Sequence, residues 1–83
     1  MIDATITAQE LFELAIEKLS DVPSGDKFIV RDLFCGVDWN RIPLGTRIKL
    51  GSLFLIYAEH EGQNIVKKLD EKSTQKQQIY EKL

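Results

Sequence analysis

The chain has 83 residues, enough for one small hydrophobic core, so we expect a single domain over residues 1–83. Hydrophobic residues make up 43% of the sequence and charged residues 29%, a balance typical of a globular domain and not of a disordered tail. The net charge of −2 excludes a protein that coats nucleic acid through its overall charge, because that requires a positive sum, but local basic patches stay open.

The number of cysteines and the length of the apolar runs indicate the cellular compartment of the protein. Cys35 is the single cysteine, so neither an internal disulfide nor a cysteine-based zinc site is expected. The N-terminus has no positive segment followed by an apolar run, and the most apolar stretch, residues 53–58, is far shorter than the roughly 20 residues of a membrane span. We therefore expect a cytoplasmic protein that enters no membrane and carries no cofactor.

The first helix has the strongest local signal. Thr7 and Glu10 have the spacing of a capping box, and Ile6 with Leu11 has the spacing of a hydrophobic staple, which predicts a helix over about residues 8–19. Its apolar residues recur every three or four positions: Leu11, Phe12, Ala15, Ile16 and Leu19. The acidic residues opposite this stripe form either a solvated face or a docking face for a basic partner.

The next segment predicts a turn, a short strand and a short helix. Residues 20–26 contain Pro and Gly and end the first helix. Residues 28–30 favour extended backbone but are too few to stand alone, so we expect a partner strand near the C-terminus. Residues 31–34 can form a second helix that Gly36 closes. Trp39 then follows a tight turn, where a large aromatic side chain most often packs between helices.

A third helix is predicted over residues 43–59. Pro43 suits its first turn, and Asn40 is a candidate cap. A helical projection places a broad apolar side around Leu50 and Phe54. The opposite, polar side contains Gly45, Lys49, Ser52, Glu59 and His60. Leu53 and Ile56 fall at or within this polar side, so their exposure would leave an apolar patch that a homodimer or a bound partner would cover.

Arg47 lies near the middle of the apolar side of this helix. An inward Arg usually lays its stem on the core and pairs with a carboxylate, and Asp32 or Asp38 on the preceding turn is the natural candidate. We predict a structural ion pair between Arg47 and Asp32, with direct ligand contact by Arg47 as the alternative.

The C-terminal segment after Asn64 has two interpretations. In the first, residues 65–71 and 77–82 are two strands joined by a polar turn at residues 72–76, and this hairpin pairs with the strand at Phe28. In the second, Ser73 or Thr74 caps a terminal helix. The hairpin is favoured because the β run at Phe28 otherwise lacks hydrogen-bond partners. The predicted fold is then α+β, a small winged-helix-like domain with three helices, a short strand and a C-terminal β-hairpin.

The run VRDLFCGVDWNRIPLGTRIKLGSLF resembles the central motif of a small family known only as a domain of unknown function, found in bacteria, their phages and their plasmids. The resemblance covers roughly residues 26–60. The residues that carry it are Arg31, Asp32, Leu33, Phe34, Gly36, Trp39, Asn40, Arg41, Pro43, Arg47, Leu50, Gly51 and Phe54. The resemblance implies a compact domain from a bacterium or a mobile element, and it implies no activity.

DNA binding is the leading functional hypothesis from the sequence, as in a transcriptional regulator of helix-turn-helix type. The third helix would enter the major groove of double-stranded DNA, and the hairpin would contact phosphates. The predicted DNA-binding residues are Asn40, Arg41, Gly45, Thr46, Lys49, Ser52, Lys72, Ser73, Thr74 and Lys76.

The alternative function is a protein-interaction module that binds a host protein, as an adaptor or an inhibitor. It would use the acidic face of the first helix or exposed apolar residues of the third. Catalysis is not expected, because the chain has one His, His60, and sequence places no histidine where it would activate Cys35. Cys35 is expected to be a small, partly buried residue.

Overall fold

The computed structural model describes residues 4–72 and 77–83. These residues form three α-helices and a three-stranded antiparallel sheet, which confirms the predicted α+β class. The helices are α1 (Ala8–Lys18), α2 (Gly36–Arg41) and α3 (Leu44–Glu59). The strands are β1 (Lys27–Phe28), β2 (Val66–Lys72) and β3 (Gln78–Lys82), in the spatial order β1-β3-β2.

The capping box at the start of α1 is confirmed. The Thr7 hydroxyl accepts a hydrogen bond from the Glu10 amide at 3.1 Å, and the Glu10 carboxylate accepts one from the Thr7 amide at 3.1 Å. These bonds use amide groups that a helix start leaves without intrahelical partners. The α-helix ends one residue earlier than predicted, at Lys18, and continues as a 3₁₀ turn over Leu19–Asp21.

The turn after α1 returns the chain to the sheet. Gly25 has a φ of 92°, a conformation that costs little only for glycine. Its amide donates to the Lys82 carbonyl, so the turn is bonded directly to the end of β3. β1 then pairs with β3, with Phe28 opposite Tyr80.

The C-terminal hairpin is confirmed and the terminal-helix alternative is wrong. β2 and β3 pair antiparallel, from Val66 opposite Lys82 to Lys72 opposite Gln78, with a register irregularity between Lys68 and Lys72. β3 lies in the centre of the sheet and supplies hydrogen-bond partners to β1, as the isolated β run at Phe28 required. The polar turn was predicted at residues 72–76, and of these, residues 73–76 lie outside the described residues.

The second helix differs from its prediction. Residues Val30–Leu33 form a 3₁₀ turn, and Gly36 begins α2 instead of closing it. The Asp32 carboxylate accepts the Ile29 amide at 3.0 Å and so holds the 3₁₀ turn together. Extended backbone at Cys35 separates this turn from α2. Trp39 lies on α2, and its burial confirms its predicted place in the core.

α3 covers almost the same residues as predicted, and its apolar side faces the core. Pro43 is its N-cap residue, and the Arg47 amide donates to the Pro43 carbonyl at 3.0 Å. Asn40 belongs to α2 and does not cap α3, because α2 runs on to Arg41. Leu50 is fully buried, and the inward apolar side is confirmed.

Buried side chains from α1, α3 and the sheet form one core. An aromatic cluster lies at its centre, where the Phe54 ring meets the Tyr80 ring edge to face with centroids 4.9 Å apart. The Phe28 and Tyr80 rings stack at 5.9 Å. Because this cluster joins α3 to β1 and β3, it fixes the side of α3 that faces away from the core.

Candidate functional site

The outward side of α3 is the candidate site. Of the predicted DNA-contact residues, five are exposed and lie on α2 or α3: Asn40, Arg41, Gly45, Lys49 and Ser52. Thr46 is half-buried, so it is less accessible than expected. Lys72 is the last residue of β2, and Ser73, Thr74 and Lys76 lie outside the described residues. The structure therefore brings two cations, Arg41 and Lys49, to the surface near the start of α3.

The predicted ion pair between Arg47 and Asp32 is wrong, because each group has a different partner. The Arg47 Nη2 atom donates to the Trp39 carbonyl at 2.9 Å, and the guanidinium carbon lies 5.3 Å from the centre of the Trp39 ring. The Asp32 carboxylate accepts from the Ile29 amide instead. α2 ends just before α3 begins, so its last turn offers Arg47 a carbonyl and an aromatic face at close range.

Aliphatic side chains cover much of the outward side of α3. Leu44 is 70% exposed, Ile48 is 62% exposed and Ile56 is 57% exposed. Leu44 and Ile48 are four residues apart, and Leu55 follows seven residues later, which places all three along one flank of the helix. The predicted exposure of Ile56 is confirmed, whereas Leu53 is half-buried. The outward side is thus more apolar than a helical projection suggested.

An open groove runs along this flank, between α3, the 3₁₀ turn and the sheet. We call it the α3 groove. Its described lining residues are Val30, Trp39, Leu44, Arg47, Ile48, Gly51, Ser52, Leu55, Gln77, Gln78 and Tyr80. The wall from Leu44 to Leu55 is about 16 Å long at the helical rise of about 1.5 Å per residue. This length accommodates several residues of a bound segment.

Tyr80 lies in the floor of the α3 groove and has only 1% of its surface exposed. Burial, with a smaller contribution from the nearby Glu59 carboxylate, raises the pKa of Tyr80 to about 12. The phenol is therefore neutral at physiological pH and adds no charge to the groove. Arg47 is the one charged residue among the described residues that line it.

Carboxylates accompany the lysines at the start of β2. Lys68 Nζ lies 3.5 Å from the Glu59 carboxylate at the end of α3. Lys67 lies directly opposite Glu81 on β3, so a carboxylate residue is its neighbour across the strands. These lysines therefore extend no uninterrupted positive surface from α3 onto the sheet.

The acidic side of α1 is exposed at Glu10, Glu13 and Glu17. Glu10 is engaged in the capping box. The other two carboxylates have the exposure expected of a solvated helix face.

Two groups that can carry chemistry are also at the surface. Cys35 is exposed at the N-cap of α2, so its expected partial burial is wrong. His60 is exposed directly after α3. Within residues 4–72 and 77–83, no three His, Cys, Asp or Glu side chains come together as metal ligands would. Among the same residues, no helix has the length and apolar character needed to cross a membrane.

Comparison with protein families identifies the domain. A family model described as a domain of unknown function, DUF1413, matches residues 13–82. The chain belongs to this family. All the residues that line the α3 groove fall within the DUF1413 match, whereas the capping box of α1 precedes it. Searches of curated proteins and of solved structures found no match. The motif expected for the family and an origin in bacteria or mobile elements stay predictions.

Sequence reasoning missed the aliphatic wall of the groove. The spacing of Leu44, Ile48 and Leu55 was visible in the sequence, but all three lie beside the inward stripe on a projection. The exposure of Leu44 and Ile48 and the half-burial of Leu55 depend on where the sheet packs against α3. Leu53 and Ile56 were singled out instead, and of these Ile56 alone is exposed.

Proposed function

We propose that this DUF1413 domain is a protein-interaction module whose binding surface is the α3 groove. The observation that carries the proposal is the exposure of Leu44 and Ile48, which lie with Leu55 along the wall of the α3 groove. Single exposed aliphatic residues are ordinary, but a continuous apolar flank beside a groove is typical of a binding surface. The bound partner is a segment of another protein that presents an apolar face.

Charge favours another protein over a second copy of this chain. In a symmetric dimer formed through the α3 groove, the same patch would face itself. Both copies of Arg47 would then lie in one interface, and no carboxylate among the described lining residues would neutralise them. Arg41 at the end of α2 and Lys49 on α3 add exposed positive charge near the start of α3. A partner with negative charge near its apolar residues avoids this repulsion.

Selection of peptides from a displayed random library on the immobilised full chain tests the proposal. We expect enriched peptides with aliphatic residues at helical or alternating spacing. Ile48→Glu places a charge on the exposed wall and should weaken binding of these peptides at least tenfold. Ile65→Glu is the matched control, because Ile65 is also exposed but does not line the groove.

Three results would argue against the module. One is a library that yields no enriched sequence. Another is equal binding of the enriched peptides by the Ile48→Glu and Ile65→Glu variants. The third is a parent chain that sediments as a dimer and dissociates on Ile48→Glu, since that identifies a second copy as the occupant. Circular dichroism of both variants verifies that the helices are intact.

Duplex DNA is the second candidate partner. Arg41 and Lys49 are exposed around Gly45, where a backbone can approach closely, and the β2–β3 hairpin comes after α2 and α3 in the chain, the order of elements proposed for a winged-helix domain. The aliphatic side chains of α3 and the Lys68–Glu59 pair weaken this candidate. If DNA binds, it should weaken with salt and with Lys49→Glu in fluorescence anisotropy. No binding at low salt would exclude DNA.

A further inference from the structure

Arg47 is a cation in an apolar groove with an incomplete set of partners. Its Nη2 atom donates to the Trp39 carbonyl, and its buried Nε atom has no hydrogen-bond partner among the described residues. A guanidinium has five N–H donors, and it pairs best with a carboxylate, which accepts two of them side by side. The carboxylate predicted from the sequence, Asp32, is bonded elsewhere. Among the described residues that line the groove, no carboxylate therefore balances the positive charge of Arg47.

The packing around Arg47 holds it where a ligand would pass. The Trp39 ring lies against the guanidinium, and the bond to the Trp39 carbonyl fixes its direction. A side chain restrained in this way loses little conformational freedom when a ligand binds. Arg47 also lies between Leu44 and Leu55 along the wall of the groove. A segment that packs on both leucines therefore passes Arg47 about one helical turn from the Leu44 end of the wall.

We infer that Arg47 binds the side-chain carboxylate of an Asp or Glu within the partner segment, flanked on both sides by aliphatic residues. The inference rests on the proposed function and names the chemistry of the partner. Aliphatic residues on either side of the acid pack on Leu44, Ile48 and Leu55. An internal acid fits better than a chain terminus, because the apolar wall extends beyond Arg47 in both directions.

The test uses the peptides selected on the full chain. One synthetic peptide is compared with its amide form, in which Asp becomes Asn or Glu becomes Gln. Each is titrated into the parent and into Arg47→Gln, which removes the charge and leaves a shorter, neutral polar side chain. We expect the amide form to bind the parent about tenfold or more weakly, and to bind Arg47→Gln as well as the acidic form does. Arg47→Lys should restore part of this preference, because it restores the charge without the planar fork.

The outcomes separate this inference from the proposed function. Peptides that bind and respond to Ile48→Glu, but carry no acid, would retain the module and overturn the role of Arg47. The role of Arg47 would also be overturned if the amide peptide bound more weakly than the acidic peptide by the same factor on the parent and on Arg47→Gln. Selected peptides that place their acid at the C-terminus would refute the internal segment. Thermal unfolding of Arg47→Gln shows whether loss of the hydrogen bond to Trp39 destabilises the fold. Any such destabilisation affects the binding of both peptides equally, so it cancels when the two peptides are compared on the same variant.

Discussion

Ionisation of Tyr80 should destabilise the fold between about pH 10 and pH 12. The pKa of this phenol is about 12 in the folded chain, against an ordinary value of 10.0. Below pH 10 the phenol is neutral in both the folded and the unfolded chain, so its contribution to stability is fully present. Above pH 10 the unfolded chain loses the proton first. Stability therefore falls as pH rises towards the folded pKa.

The size of this effect follows from the burial of the ring. One pKa unit corresponds to about 1.4 kcal/mol, so a rise from 10.0 to about 12 corresponds to about 2–3 kcal/mol. Exposure of 1% leaves little solvent to weaken it. The ring lies between Phe28 and Phe54, which cannot stabilise a phenolate by hydrogen bonding.

Urea unfolding at a series of pH values measures the effect. We expect the free energy of unfolding of Tyr80→Phe to fall less than that of the parent over this range, by about 2–3 kcal/mol. Tyr57→Phe is the matched control. Burial also raises the pKa of Tyr57, with a contribution from Glu61, but this ring is only partly buried, so a smaller change is expected.

A second measurement follows the ionisation of the Tyr80 phenol directly. The chain has two tyrosines, so Tyr57→Phe leaves Tyr80 as the sole phenol. Its ultraviolet absorbance should then report ionisation well above pH 10. The reasoning is refuted if this phenol titrates near pH 10 in the folded protein. It is also refuted if Tyr80→Phe and the parent lose stability in parallel.

Three further destabilising substitutions and one control test local features by urea or thermal unfolding. Gly62→Ala should cost about 1–3 kcal/mol, because an added methyl group overlaps the Tyr57 ring, whereas Gly45→Ala has open space and should be neutral or stabilising. Gly25→Ala should cost about 1–2 kcal/mol through its φ of 92°. Thr7→Ala should cost about 1 kcal/mol by removing the cap of α1. Parent-like unfolding of any one destabilising variant would contradict the corresponding contact.

Much of the secondary structure could be predicted because its causes are local. The capping box joins Thr7 to Glu10, three residues apart, so spacing alone identifies the start of α1. Pro43 and the apolar stripe through Leu50 placed α3 within one residue of its observed start. The hairpin followed from the need of a short β run for partners, and β3 supplies them. Residues 30–36 were harder, since the Asp32 side chain stabilises a 3₁₀ turn that periodicity does not reveal.

The sequence by itself determined the start of α1, the position of α3 and the inward side of α3, because each depends on neighbours a few residues apart. It favoured the C-terminal hairpin over a terminal helix but did not decide between them. The tertiary structure alone decided the partner of Arg47 and the exposure of Leu44 and Ile48. Both depend on how α2 and the sheet pack against α3, which brings Tyr80 beside residues about thirty positions earlier. Spacing along one helix shows which residues share a side. It does not show which side the sheet leaves open.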